Sequence, residues 1–159
     1  MEQLKEIRKW LKHNRGPATE KVKQVVKTGI VVLFDGGSGE GKLATVKLLG
    51  TEFHKEVFHV ELSKVVSKYI GETEKNLSVI FKKAENKDWI LFFDEADALF
   101  GKRTVVKDSH DKYANLEVSY LLEWLEHFPG LVVLATNSRD NIDPAFLRRL
   151  RYVVSFPKV

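Results

Sequence analysis

The apolar run Ile30-Val31-Val32-Leu33-Phe34 ends at Asp35 and passes directly into Gly36-Gly37-Ser38-Gly39-Glu40-Gly41-Lys42-Leu43, a glycine-rich turn closed by a lysine. A strand that leaves its sheet through glycines and enters a helix at a lysine restricts the fold more than any other feature of the chain. Gly36, four residues, Gly41 and Lys42 fit the first seven positions of a phosphate-cradling loop. In such a loop, glycines let successive backbone N–H groups converge on phosphate oxygens, and the helix N-terminus and the lysine oppose the negative charge. The eighth position departs from the pattern: Leu43 stands where a serine or threonine hydroxyl helps to hold Mg²⁺.

A second segment points the same way. Trp89-Ile90-Leu91-Phe92-Phe93 is a short apolar, aromatic-rich run that ends in Asp94-Glu95-Ala96-Asp97, three carboxylates within four residues. A buried strand tipped with acids suits a cation. Asp94 is placed to bind Mg²⁺ through water and Glu95 to polarise an attacking water, the division of labour used in P-loop ATP hydrolysis.

The rest of the chain supplies the frame. Gln3 to His13 carries Leu4, Ile7, Trp10 and Leu11 at helical spacing, and a second charged helix is expected over Thr19 to Lys27. Helices are also expected from Lys42 to Gly50, from an N-cap at Ser63 to Val66, and from a cap at Thr73 to Glu85. Two more run from Tyr113 to His127 and from Asp143 to Leu150. Between them lie strand-like runs at Val57–Glu61, Leu131–Ala135 and Tyr152–Phe156. Five strands alternating with helices predict a three-layer α/β sandwich on a mainly parallel sheet, with ligands bound beyond the carboxyl ends of the strands. Asp35, Asp94-Glu95 and Asn137 all fall at such ends, so they are expected to converge.

Composition removes several classes. At 159 residues, 43% of them hydrophobic, the chain suits one domain with a substantial core. With no cysteine it has neither disulfides nor thiolate metal sites, and no run approaches the roughly 20 apolar residues that span a bilayer. A cytoplasmic protein without a membrane association is expected. The net charge of +4 is spread among interleaved acids rather than gathered in one stripe, so nucleic acid is not expected as a partner, and the five histidines show no ligand spacing.

In this order, the pieces resemble the core ATPase domain of the AAA+ family over nearly the whole chain. Gly36 to Lys42 resembles Walker A, Ile90 to Glu95 resembles Walker B, and Leu134-Ala135-Thr136-Asn137 resembles the sensor 1 strand. The resemblance implies that ATP and Mg²⁺ are the cofactors. It also implies that Gly36, Gly37, Ser38, Gly39, Glu40, Gly41, Lys42 and Leu43 form the nucleotide loop, that Asp94 holds the metal, and that Glu95 and Asn137 act on the attacking water. Ala145-Phe146-Leu147-Arg148-Arg149 resembles the arginine-finger helix, which implies a homo-oligomeric ring in which Arg148 or Arg149 reaches a neighbour's nucleotide. Tyr69, Ile70 and Gly71 resemble the first pore loop, which grips a threaded protein substrate. The strings 65–76 and 92–104 are similar to the bacterial subgroup that includes the ATPases of contractile injection systems.

Three departures accompany the likeness. Leu43 replaces the hydroxyl, and Thr45, about 200° further round the helix, points elsewhere. Glu40 adds a negative charge to a loop built for anions. The chain stops at Val159, where family members continue into a helical lid. The division expected is therefore a lead-in at 1–28 and a core without the lid at 29–159. An ATP-dependent remodelling core with impaired turnover, or a pseudo-ATPase serving as a scaffold or assembly partner, both fit this reading.

Overall fold

A computed structural model describes residues 2–13, 29–37, 41–67, 69, 71–101 and 109–157. Its elements, in chain order, are α1 (Glu2–His13), β1 (Ile30–Asp35), α2 (Gly41–Glu52), β2 (Val57–Glu61), α3 (Leu62–Val65), α4 (Glu72–Ala84) and β3 (Ile90–Asp94). They continue with α5 (Asp97–Phe100), α6 (Ser109–His127), β4 (Leu131–Thr136), a 3₁₀ turn (Arg139–Asn141), α7 (Pro144–Leu147) and β5 (Tyr152–Ser155). The expected helix over Thr19 to Lys27 lies outside the described residues.

The strands form one sheet in the order β2-β3-β4-β1-β5, and every neighbouring pair is parallel. Central β4 is buried at all six residues, and β3 at its first four. That is why these strands read as unbroken apolar runs: with helices over both faces, neither side is left for polar residues. The period of two sends Phe93, Leu91, Val132 and Leu134 to one face, against Leu77 and Phe81 of α4 and Leu121 and Leu125 of α6. Phe34, Phe92, Val133 and Ala135 go to the other face, where they meet Val46 and Leu49 of α2 and Ile7 and Leu11 of α1. Helix α1 is thus part of the core, its two deepest residues showing no exposed surface.

Several boundaries differ from expectation for local reasons. Thr73 does not cap α4. Its Oγ1 accepts from the Ser67 N–H at 2.9 Å, and the N-cap is Gly71, in the left-handed region at φ 80°. Ser63 likewise lies inside α3 rather than at its start, because its hydroxyl is used elsewhere, on Glu95. Helix α7 is capped by Asp143, whose carboxylate accepts from the Ala145 N–H at 2.9 Å, but it ends at Leu147 and not Leu150. The chain must straighten there so that the Arg151 N–H can reach the Val31 carbonyl and start β5. Helix α5, four residues long, is too short to show a period, and is fixed by Phe100 stacking on Phe146 at 4.0 Å. Among the described residues, no helix is long and apolar enough to cross a membrane.

Candidate functional site

Strand order β3-β4-β1 sets the carboxyl ends of three strands side by side, and Lys42, in the first turn of α2, reaches into the space above them. Its Nζ donates to the carbonyls of Gly36 at 2.6 Å, Gly37 at 2.8 Å and Thr136 at 3.0 Å, and to Asn137 Oδ1 at 3.3 Å. Lys42 is only 5% exposed. Burial pushes its ammonium below the usual lysine value, opposed by attraction to Asp94, Asp35 and Asp97. The three clusters expected to converge do so around this one cation.

Each neighbour is fixed by its own contact. Asp94 Oδ1 accepts from the Glu95 N–H at 2.8 Å. Glu95 has a left-handed backbone, φ 56°, which turns the chain sharply off β3, and its carboxylate accepts from the Ser63 hydroxyl. The next residue, Ala96, donates its N–H to the Ala135 carbonyl at 2.9 Å, which pins this turn to β4. Thr136 Oγ1 donates to Asp97 at 3.4 Å, while its carbonyl accepts from both Lys42 and the Gly36 N–H.

The glycine turn after β1 is shaped from behind by the turn after β5. Gly36 and Gly37 have φ of 90° and 52°, and a Cβ on Gly36 would lie 2.5 Å from the Phe156 carbonyl oxygen. The Phe156 N–H donates to the Asp35 carbonyl at 2.7 Å, and its ring lies 5.0 Å from that of Phe34. A side chain on Gly36 has no room, so the glycine is required here by contact as well as by dihedral. Ser38, Gly39 and Glu40 lie outside the described residues. Leu43 turns to the apolar cluster of α1, α2 and β1, and Thr45 Oγ1 bonds the Gly41 carbonyl at 2.8 Å on its own helix, so neither supplies a hydroxyl toward Lys42.

Arg148 and Arg149 are exposed at the end of α7, with Arg149 3.7 Å from Glu126 of α6. Tyr69 is 65% exposed at the surface turn before Gly71; Ile70 lies outside the described residues. A groove of about 570 Å³ lined by Phe81, Trp124 and Phe128 opens at the opposite ends of β3 and β4 and offers none of the site's carboxylates.

Sequence reading missed Asp35 as an anchor, Ser63, Arg139 and His59. His59 Nε2 lies 3.8 Å from Asp94 Oδ2, with its ring 5.2 Å from that of Phe92. The parallel register sets His59 opposite Phe92, two residues before Asp94 and on the same face, but that pairing becomes visible only once the sheet is assembled.

A buried lysine beside positive-φ glycines, with acids at the next strand tips, suits a phosphate chain and offers Asp94 to its cation. Together with the all-parallel sheet, this defines a P-loop nucleotide-binding core. The family described as ATPase family associated with various cellular activities (AAA) matches residues 32–158, and the chain belongs to it. It is 37% identical over 122 residues to a cell division cycle protein 48 homolog of Archaeoglobus fulgidus, a match covering 74% of this chain and 16% of that protein. It is 35% identical over 130 residues to the peroxisomal ATPase PEX6 of Neurospora crassa, covering 76% of this chain and 9% of that one. The chain thus spans a small fraction of the length of these relatives.

Proposed function

We propose that this chain is the ATP-binding core of a protein-remodelling AAA assembly, and that its turnover of ATP is impaired. The observation that carries this reading is the Lys42 ammonium, buried between the glycine carbonyls and Asn137 and faced by three carboxylates. Lys42 would meet the β- and γ-phosphates, Gly36, Gly37, Gly39 and Gly41 would shape the cradle, and Asp94 would hold Mg²⁺ through water. Bound Mg²⁺ would neutralise charge that develops on the phosphates. Glu95 would act as base and Asn137 would orient the water, while Arg148 or Arg149 would act on a neighbouring copy in a ring and Tyr69 would touch a protein substrate. The finer likeness to the bacterial injection-system subgroup rests on the strings 65–76 and 92–104 alone.

Impaired turnover follows from Leu43. Its side chain is committed to the apolar cluster, so one oxygen ligand is missing from a cation that prefers six. Calorimetric titration of ATP with and without Mg²⁺, alongside phosphate release, tests the reading. The Leu43→Thr variant should restore Mg²⁺ dependence and raise ATP affinity in its presence about fivefold, the worth of one recovered ligand contact. An unchanged Mg²⁺ response would show that the missing hydroxyl is not the defect.

Glu95→Gln keeps the shape and removes the base, so it should leave ATP affinity within about twofold while lowering phosphate release at least tenfold. A parallel loss of binding would make Glu95 structural. The second reading, a pseudo-ATPase scaffold, is favoured by the same half-buried Leu43, and wild-type binding with no measurable release would select it.

A further inference from the structure

Asp35 plays no part in the phosphate-loop pattern, yet it is one of only four polar or charged residues buried among those described, two of the others being Lys42 and Thr136. Its Oδ1 accepts from the backbone N–H of Arg139 at 2.6 Å, and its Oδ2 lies 3.6 Å from Arg139 Nε. On the other side of Asn137, the Thr136 carbonyl accepts from the Gly36 N–H at 3.2 Å. Residues 136 and 139 are therefore tied to the adjacent residues 36 and 35. Asn137 sits between these two anchors.

That arrangement matters because Asn137 is itself exposed. No packing fixes its side chain beside Lys42, so the backbone on either side must. We infer that Asp35 is a positioning residue, which holds the Asn137 loop over the phosphate end of the site and thereby sets how well the site distinguishes a nucleoside triphosphate from a diphosphate. The inference rests on the nucleotide-binding reading above. Lys42 is the group that meets the terminal phosphates in such loops, and Asn137 Oδ1 is 3.3 Å from its Nζ, so a displaced loop loses contact with the last phosphate first.

The agent is the hydrogen bond to the Arg139 N–H rather than the charge of Asp35, and four substitutions separate the two. Asp35→Ala removes acceptor and charge, whereas Asp35→Asn keeps an acceptor and removes the charge. Arg139→Pro deletes the donor while Asp35 stays. The backbone before it admits proline, because Arg139 opens the 3₁₀ turn and Ser138 is extended at φ −155°, ψ 123°, and the ring Cδ, standing where the N–H pointed, also displaces the Asp35 carboxylate. Arg139→Ala keeps the N–H and removes only the ion pair.

Calorimetric titration with ATP and with ADP, both in Mg²⁺, gives the affinity ratio for each variant. Asp35→Ala and Arg139→Pro should lower the ATP-to-ADP ratio about fivefold, chiefly through ATP, the low end of what a lost buried hydrogen bond is worth. Asp35→Asn and Arg139→Ala should keep it within about twofold. In nucleotide-free protein, amide exchange over 137–141 should quicken in the first pair and not in the second. An equal fall in Asp35→Asn and Asp35→Ala would overturn the inference in favour of charge, and an unchanged ratio in Arg139→Pro would overturn it outright. Wild-type protein that binds neither nucleotide would defeat the nucleotide reading itself, an outcome distinct from a wild type that binds both and variants that do not differ.

Discussion

Replacing Lys42 with alanine should lower the affinity for ATP about a hundredfold, the magnitude of one lost charge-assisted contact to phosphate in a water-poor site. The buried ammonium is held by the carbonyls of Gly36, Gly37 and Thr136, so it is already aimed at the loop's interior before any ligand arrives. Its burial works against its charge, and a phosphate would relieve that opposition more fully than backbone carbonyls can. Arginine should not rescue, because its planar fork cannot fill a position built around a point cation with four separate acceptors. Equilibrium titration of a fluorescent ATP analogue measures the change. An alanine variant that binds as well as wild type would remove the ground for reading the loop as a phosphate cradle.

The second large effect is on stability. Gly36→Val should destabilise the fold by about 2–4 kcal/mol, since a side chain there is forced into a left-handed backbone and collides with a carbonyl. The clash partner, the Phe156 oxygen 2.5 Å away, is main chain and is itself anchored through the Phe156 N–H on Asp35, so it cannot swing aside. For a domain of this size the loss corresponds to a melting temperature lower by roughly 10 °C. Gly41→Ala is the internal control: the added Cβ meets only the edge of the Phe156 ring at 4.0 Å, and melting should hardly move. Equal melting temperatures for the two variants would mean that the loop yields where the contact distances say it should not.

The framework was legible because its physics is local. A strand covered on both faces must be apolar throughout, so Ile30–Phe34, Ile90–Phe93 and Leu131–Ala135 announce themselves. The glycines of the loop and the acids after Phe93 mark where the sheet ends and a polar site begins. The partnerships were not legible. Asp35 meets Arg139 across 104 residues, and Ser63 meets Glu95 across 32, and no periodicity within either segment encodes the other. Thr73 and Ser63 both carry the chemistry of a helix cap, and in both the tertiary structure spends the hydroxyl on a more distant partner. His59 was set aside because metal-ligand spacing along the chain is the wrong test for a residue whose neighbour lies on the adjacent strand.

The turn at Phe156 and Pro157 makes β5 a structural wall of the loop after β1: Phe156 covers Gly36, and the Pro157 carbonyl lies 3.0 Å from where a Cβ of Gly37 would stand. Because β5 enters the sheet beside β1, some 120 residues separate the synthesis of the loop from the synthesis of its backing. While the polypeptide is still emerging from the ribosome, Gly36 and Gly37 have nothing to press against, and the glycines keep their full conformational freedom. The loop therefore gains its backing only after β5 has been made and has docked beside β1. A nascent chain stalled before β5 would carry the glycines of the loop without the wall that shapes them.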